Sequence, residues 1–306
     1  MDQALHSNRS SVLKYYNKSE KDVQSDVNII LESLEKKAHF PKIKDENALR
    51  NKIEAFLIFN KFHIEKTKQK LDLCYSYRNI YPEFFDNWDP CSAEFEKTFS
   101  IFRYTPLPYL TKELNRVSFI ELTDKVHDNF EPLTHFKTFL MSFETRISHD
   151  CNAGEIIIYD CSKANLNIVK QLTPSILKKA VDINLKGYSV RLAGLHLLHP
   201  PNGLPILLTI LKALVKPKIY ERIHLHNDLE SLHKAISKEY LPKNLGGELT
   251  DSQILTDTWY GILKNNRVNL IEESKLRTDE SKRIEKLNED EFFGSMHGSF
   301  KKLEFD

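Results

Sequence analysis

The chain has 306 residues, 41% of them hydrophobic and 28% charged, with a formal net charge of +1. That is enough apolar material for one sizeable globular domain and a smaller companion. A near-neutral balance argues against a general nucleic-acid binder, so any basic patch has to be local. Cys74, Cys91, Cys151 and Cys161 form no CxxC pair, which reads as reduced thiols rather than a disulfide framework or a zinc motif. The opening MDQALHSNRSSVLKYYNK lacks an apolar leader segment, and no later run reaches membrane-spanning length, so a soluble, cytoplasmic protein is expected.

Residues 1–25 read as a polar, loose segment. From there to residue 90 the pattern is helical. Val27, Ile30, Leu31 and Leu34 recur at helical spacing until Phe40-Pro41 breaks them. A second helix is predicted over Asp45–Asn60 and a third over Ile64–Ile80, stopping before Pro82. Residues 26–90 therefore read as a small helical bundle.

The texture changes over 91–268. Apolar runs of strand type (Ser100–Tyr104, Ser118–Thr123, Glu155–Asp160, Val190–Leu198, Arg222–His226) alternate with helical segments (Phe130–Ile147, Thr173–Leu185, Leu204–Val215, Asp228–Lys238). Such alternation predicts βαβ units and a mostly parallel sheet in an α/β fold. Ile156, Ile157, Ile158 and Tyr159 are apolar at both parities, so both faces of that strand should be covered. Leu241–Gly247 supplies turn chemistry, and a last helix is predicted over Asp251–Lys264. Residues 269–306 form a charge-dense tail expected to be solvated.

One segment stands apart. Leu204–Val215 is apolar almost all the way round a helix, with Leu204, Leu207, Leu208, Leu211, Leu214 and Val215 on one side and Ile206, Ile210 and Ala213 on the other. It rises only about 18 Å against a hydrocarbon core of about 30 Å, too little to span a bilayer. Such a helix packs either on protein or on something that is not protein, and spacing does not separate the two. Lys212, Lys216, Lys218 and Arg222 border it with Glu221 as the one acid between Pro205 and Asn227, either a solvated face or a surface for anionic lipid. Pro200-Pro201-Asn202-Gly203 offers a hinge before it.

Six stretches in order carry a resemblance: HFPKIKDENALRNKIEAFLIFNKFHIEKTKQKL with YRNIYPEFF after it, then GEIIIYD, LTPSILKKA, GLHLLHPP, KPKIYERIHLH and LPKNLGGE. Over roughly residues 27–265 the chain resembles the CRAL-TRIO family, in its animal branch of tocopherol-transfer, retinaldehyde-binding and clavesin proteins. The resemblance implies a helical bundle beside an α/β domain whose sheet floors an apolar cavity, closed by a lid helix. It also implies a job, holding one lipophilic molecule and exchanging it at membranes, and some relatives bind phosphoinositides beside the lid.

On that footing the expected cavity wall is Phe136, Phe139 and Phe143, Ile156 and Ile158, and Ala180, Ile183 and Asn184, with Leu204, Leu207, Leu208 and Leu211 of the lid above. Asn184 replaces an apolar residue of the tocopherol carrier, and would face either a ligand oxygen or water. Arg191, Lys218 and Arg222 match the carrier's phosphoinositide cleft and Lys212 lies beside them, while Asn60 and Ala193 replace two of its arginines, so generic anionic-lipid attraction is the safer expectation. His224 and His226 lack the further ligands a metal needs. No GxGxxG, P-loop, GxSxG or HExxH is present. The expectation is a cytoplasmic, monomeric carrier for a tocopherol, retinoid, carotenoid or similar lipid, transiently on anionic membranes, with no enzymatic role, no nucleic-acid partner, and no cofactor or metal beyond its ligand. The rival reading is a phosphoinositide-sensing membrane adaptor.

Overall fold

The computed structural model describes residues 4–126, 130–147 and 149–284. Its helical part comprises α1 (Arg9–Tyr15), α2 (Glu20–Glu35), α3 (Glu46–Phe59), α4 (Ile64–Ile80) and α5 (Ala93–Ile101). Each start is capped by a side chain that accepts a backbone N–H of the first turn: Asn8, Ser19, Asp45, His63 and Ser92. Ser19 and Asp22 form a reciprocal capping box.

Residues 4–25 are not loose. They contain α1 and the start of α2, Leu5 is buried, the His6 N–H donates to the Pro108 carbonyl at 2.8 Å, and the His6 ring stacks on Tyr109. Arg116, fully buried, fixes this corner. It donates to the carbonyls of Leu107 (2.8 Å), Pro108 (2.7 Å) and His6 (3.2 Å) while pairing with Asp150 at 2.6 Å. A guanidinium has five donors in a fork, and here they tie three segments together.

The sheet has five strands in chain order: β1 (Phe102–Leu110), β2 (Asn115–Leu122), β3 (Gly154–Asp160), β4 (Leu192–Leu198) and β5 (Ile223–His226). β1 is antiparallel to β2, and every other pairing is parallel. In a sequentially ordered parallel sheet, crossovers of one hand put every connecting helix on the same face. That face carries α6 (Pro132–Ile147), α7 (Leu166–Gln171), α8 (Pro174–Val181), a π-helical turn (Asp182–Gly187), α9 (Leu204–Leu214) and the short α10 (Pro217–Tyr220). The opposite face is closed by α11 (Leu229–Ala235) and the turns through Leu249, whose Leu232, Ile236, Leu241 and Leu245 pack with Ile158 and Leu198.

The tail folds back, contrary to the expectation of a solvated segment. After α12 (Ser252–Asn265) comes α13 (Arg267–Lys275), with Leu270 buried. Glu273 reaches Lys52 at 2.6 Å and Arg78 at 2.9 Å, and Lys52 also binds Glu144 at 2.6 Å. The Tyr188 hydroxyl donates to Glu144 at 2.6 Å. Further on, Arg283 pairs with Asp72 at 2.8 Å. The rest of the expected tail, 285–306, lies outside the described residues.

This network joins α3, α4, α6 and α13, and its cations are almost wholly buried. Deleting one partner strands a buried charge, at a cost of about 3–5 kcal/mol. Glu273→Ala is expected to lower the free energy of unfolding by that order, read from urea denaturation, and a change below about 1 kcal/mol would contradict the role.

Candidate functional site

The two faces of the central strands are covered unequally. On the α11 side, Ile158 and Leu198 are 0% exposed. On the helix side, Ile157, Tyr159, Leu195 and Ile223 are only partly covered, although a central parallel strand ordinarily has both faces sealed. Over them lies α9, whose Leu204 alone is buried, against Cys161 and Leu197. Leu207, Leu208 and Leu211 are half-covered, and Ile206 on the outer side is 46% exposed. Burial drives the Tyr159 hydroxyl pKa far upward. The incompletely covered apolar surface between the sheet and the inner leucines of α9, with half-covered Phe136 and Phe139 of α6 along its side, is the candidate hollow.

Gly203, just before α9, has φ of +94°, and a Cβ there would lie 2.6 Å from Leu166. The left-handed backbone favours glycine at this position, while the Leu166 contact involves only the flexible end of that side chain. At the other end Val215 and Lys216 are extended ahead of Pro217, which stops the helix.

Several expected wall residues lie elsewhere. Ile156 and Ile158 belong to the opposite face, packed with the α11 cluster. A strand alternates its side chains, so an error of one residue in parity moves the whole set across the sheet. The residues towards α9 are Ile157 and Tyr159. Phe143 is sealed in the main core between Phe59 at 6.0 Å and Tyr188 at 5.4 Å, and Ala180 and Ile183 are buried in the same core. Leu204, Leu207 and Leu208 sit on the α9 side of the hollow with Leu195, Leu197 and Ile223, which had not been foreseen. The parity signal was nevertheless present one strand on. In Leu195-His196-Leu197 and Ile223-His224-Leu225-His226 the histidines take one face and the aliphatics the other.

Two buried polar atoms near these walls have no hydrogen-bond partner, Asn184 Oδ1 and His135 Nδ1. Asn184 lies in the π-helical turn, and its Nδ2 donates to the Ala180 carbonyl at 2.8 Å. An unsatisfied buried group of this kind costs about 1–3 kcal/mol. π-helical turns carry such groups frequently at functional positions.

The basic border divides in two. Arg191 donates to the Tyr16 hydroxyl at 2.6 Å and to the Ala153 carbonyl at 2.9 Å, and Arg222 donates to the Leu192 carbonyl. Each thus gives one guanidinium nitrogen to the fold, and both residues remain partly exposed. Lys212, Lys216 and Lys218 are exposed, with Lys212 5.8 Å from the Tyr220 ring centre. Asp160 accepts the Ser162 N–H at 2.9 Å and faces His199 at 3.1 Å, a structural arrangement at the ends of β3 and β4. Beneath the sheet, His196 meets His226 at 2.9 Å, and burial, with His224 and His226 nearby, pulls the His196 pKa down to about 3. Among the described residues no group of three or more such side chains could hold a metal ion, and no helix is long and apolar enough to cross a membrane.

Comparison with known proteins places this geometry. Residues 103–247 match the CRAL/TRIO domain model, and residues 19–95 match the Pinta-like UBA domain model. Alpha-tocopherol transfer protein-like of Homo sapiens is 28% identical over 221 residues, 71% of this chain and 64% of that protein. The match thus spans less than two thirds of that relative's length. Clavesin-1 of Rattus norvegicus is 39% identical over 97 residues, 31% of this chain and 27% of that protein. The crystal structure of Sfh5 superposes with a TM-score of 0.50 at 12% identity, covering 87% of this chain and all of that one. At that identity the likeness speaks for the fold alone.

The unequal faces predict unequal mutational costs. Ile158→Ala leaves a void in packed protein and should cost about 2–5 kcal/mol, whereas Ile157→Ala, beside existing space, should cost about 1 kcal/mol or less. Equal losses in denaturant unfolding would count against the hollow. Acid should also act through His196. The unfolded chain takes up that proton near pH 6.5 and the folded chain only near 3. Stability is therefore complete above about 6.5 and declines as pH falls through this window. His196→Phe should flatten that decline, measured as unfolding free energy at pH 7, 5.5 and 4.

Proposed function

We propose, on the premise that residues 103–247 are a CRAL/TRIO domain of the lipid-binding and transfer type, that this protein encloses one hydrophobic small molecule between sheet and α9 and exchanges it at membranes. The observation that carries the reading is the half-covered helix-side face of β3 and β4 beneath a helix whose inner leucines also lack full cover. A guest of isoprenoid character (a tocopherol, retinoid, carotenoid or similar lipid) would complete both surfaces at once. Pockets for such guests are mostly apolar with a few orienting polar groups. Asn184 Oδ1, buried and without a donor, would accept from a ligand hydroxyl.

Release follows from the same geometry. Fully burying a leucine contributes about 1.5–3 kcal/mol. Only Leu204 is buried, and the half-covered Leu207, Leu208 and Leu211 contribute about 1 kcal/mol each, so the empty lid opens for a few kcal/mol. A bound lipophile adds its own apolar contact and holds the lid shut in water. A bilayer surface accepts the exposed leucines and offsets the cost, and Lys212, Lys216 and Lys218 would draw this edge to anionic leaflets at roughly 1 kcal/mol per charge. The domain would thus work in the cytosol and touch membranes transiently, without transforming its cargo.

Organic extraction of the purified protein followed by mass spectrometry should yield a lipophile at close to one per chain. A protein that emerges empty and takes up none of these lipids from donor vesicles would remove the reading. For the membrane step, the triple variant Lys212→Glu, Lys216→Glu, Lys218→Glu should slow transfer to anionic vesicles at least tenfold at low salt and leave transfer to neutral vesicles within twofold. Equal rates on anionic vesicles would sink the electrostatic part.

A further inference from the structure

We propose that His135 is the polar contact of the hollow, hydrogen-bonding through Nδ1 to a hydroxyl or carbonyl oxygen of the enclosed lipophile and so selecting oxygenated lipids over plain hydrocarbons. The inference rests on the carrier reading and deepens it.

His135 stands on α6 and is 7% exposed. Its neighbours are aromatic: Phe102 at 3.8 Å between ring centres, Phe136 at 5.4 Å, Phe130 at 5.7 Å and Tyr159 at 6.0 Å. Nothing among them satisfies Nδ1, which is buried without a hydrogen-bond partner. Native proteins leave few buried polar atoms in that state, and those that remain call for a reason. A structural role would be served better here by phenylalanine, which fits an aromatic cluster without a polar atom to satisfy. Two of the neighbours, Phe136 and Tyr159, are half-covered residues of the helix-side face, so the buried His135 ring lies directly behind that face.

The chemistry is well matched. Burial alone, with no charged group contributing, pulls the His135 pKa down to about 3, so the ring is neutral. A neutral imidazole carries one N–H donor and one acceptor nitrogen. The tautomer that protonates Nδ1 gives a hydrogen bond to a carbonyl, and the other accepts one from a hydroxyl. Asn184 is more restricted, because its amide N–H already serves Ala180 and only its oxygen is free.

The test uses the full chain, stripped of lipid, and phosphatidylcholine vesicles carrying trace labelled phytanol or phytane, which differ by one hydroxyl. The wild type should take up phytanol about tenfold more favourably than phytane, the worth of one good hydrogen bond in a dry site. His135→Leu should bring the ratio close to one. Should that variant fail to fold, the wild-type protein labelled with ¹⁵N-histidine gives the same answer. The His135 Nδ1 resonance is expected to move on loading with phytanol and to stay put with phytane. A ratio that survives in His135→Leu, or a resonance indifferent to the hydroxyl, overturns the assignment while the carrier reading stands. Uptake of neither probe by the wild type overturns it too, and extraction of the purified protein then decides whether the carrier reading falls with it.

Discussion

A parallel β-strand presents apolar side chains on both faces, and each face needs a cover. In this molecule the order of the strands divides that work. Because β2 to β5 follow one another, all their crossovers run over one face, and the chain must return after β5 to close the other. The return, from Leu229 to Leu249, seals its centre: Leu232, Ile236 and Leu241 cover Ile158 and Leu198, while Ile156 is partly covered. The crossover face is left to α6, α8 and α9, which leave Ile157, Tyr159 and Leu195 half-covered. If the fold is a container, as proposed, the incomplete side is what makes it one, and opening and selectivity would be properties of that face.

A hollow weakens a domain, since side chains around it lose contacts that a packed core would supply. Around it lie two buried ion networks: Arg116 and Arg146 share Asp150, with Glu155 beyond, while Glu273 joins Lys52 and Arg78. Buried pairs of this kind contribute little net stability against an apolar alternative. They do demand a particular arrangement of α3, α4, α6 and α13, because any other arrangement leaves a charge alone. The bundle thereby acts as a rigid frame behind the π-helical turn and α6, the elements that flank the hollow.

Much of this frame was legible in the amino-acid order. Helix periodicity with proline breaks located α2, α3 and α4, and the alternation of apolar runs located all five strands. The misreadings share a cause, namely that local pattern carries no information about distant partners. The run Ile156–Tyr159 is apolar at both parities, so nothing local chose which half would face α9, and the choice was fixed by Leu232 and Leu241 some 75–85 residues on. The first 25 residues read as loose because their anchors, Arg116 and Pro108, lie about 100 residues away. The charged tail read as solvated because its charges had no visible partners, yet Glu273 and Arg283 find theirs on α3 and α4. Arg191 and Arg222 read as membrane contacts for the same reason, and Tyr16 and two backbone carbonyls take one guanidinium nitrogen of each. His135 carried no signal of its own. A lone histidine on a helix acquires meaning only when the fold shows that its neighbours are phenylalanines and a tyrosine.

The lid itself shows how little energy a gate of this design needs. α9 is hinged at a glycine in the left-handed region and ends at an extended Val215-Lys216, so its motion requires no change within the helix. Its outer surface exposes Ile206, and on the proposed reading its inner leucines would be held by a guest as much as by protein. The closed state would then be favoured chiefly by the molecule enclosed, and its stability would follow the fit of that molecule. A poorly matched lipid would hold the lid weakly and escape, whereas a well-matched one would stay until a membrane offers the leucines an equivalent surface. Retention and selectivity become one quantity, set by how completely the guest covers Ile157, Tyr159, Leu195 and the underside of α9.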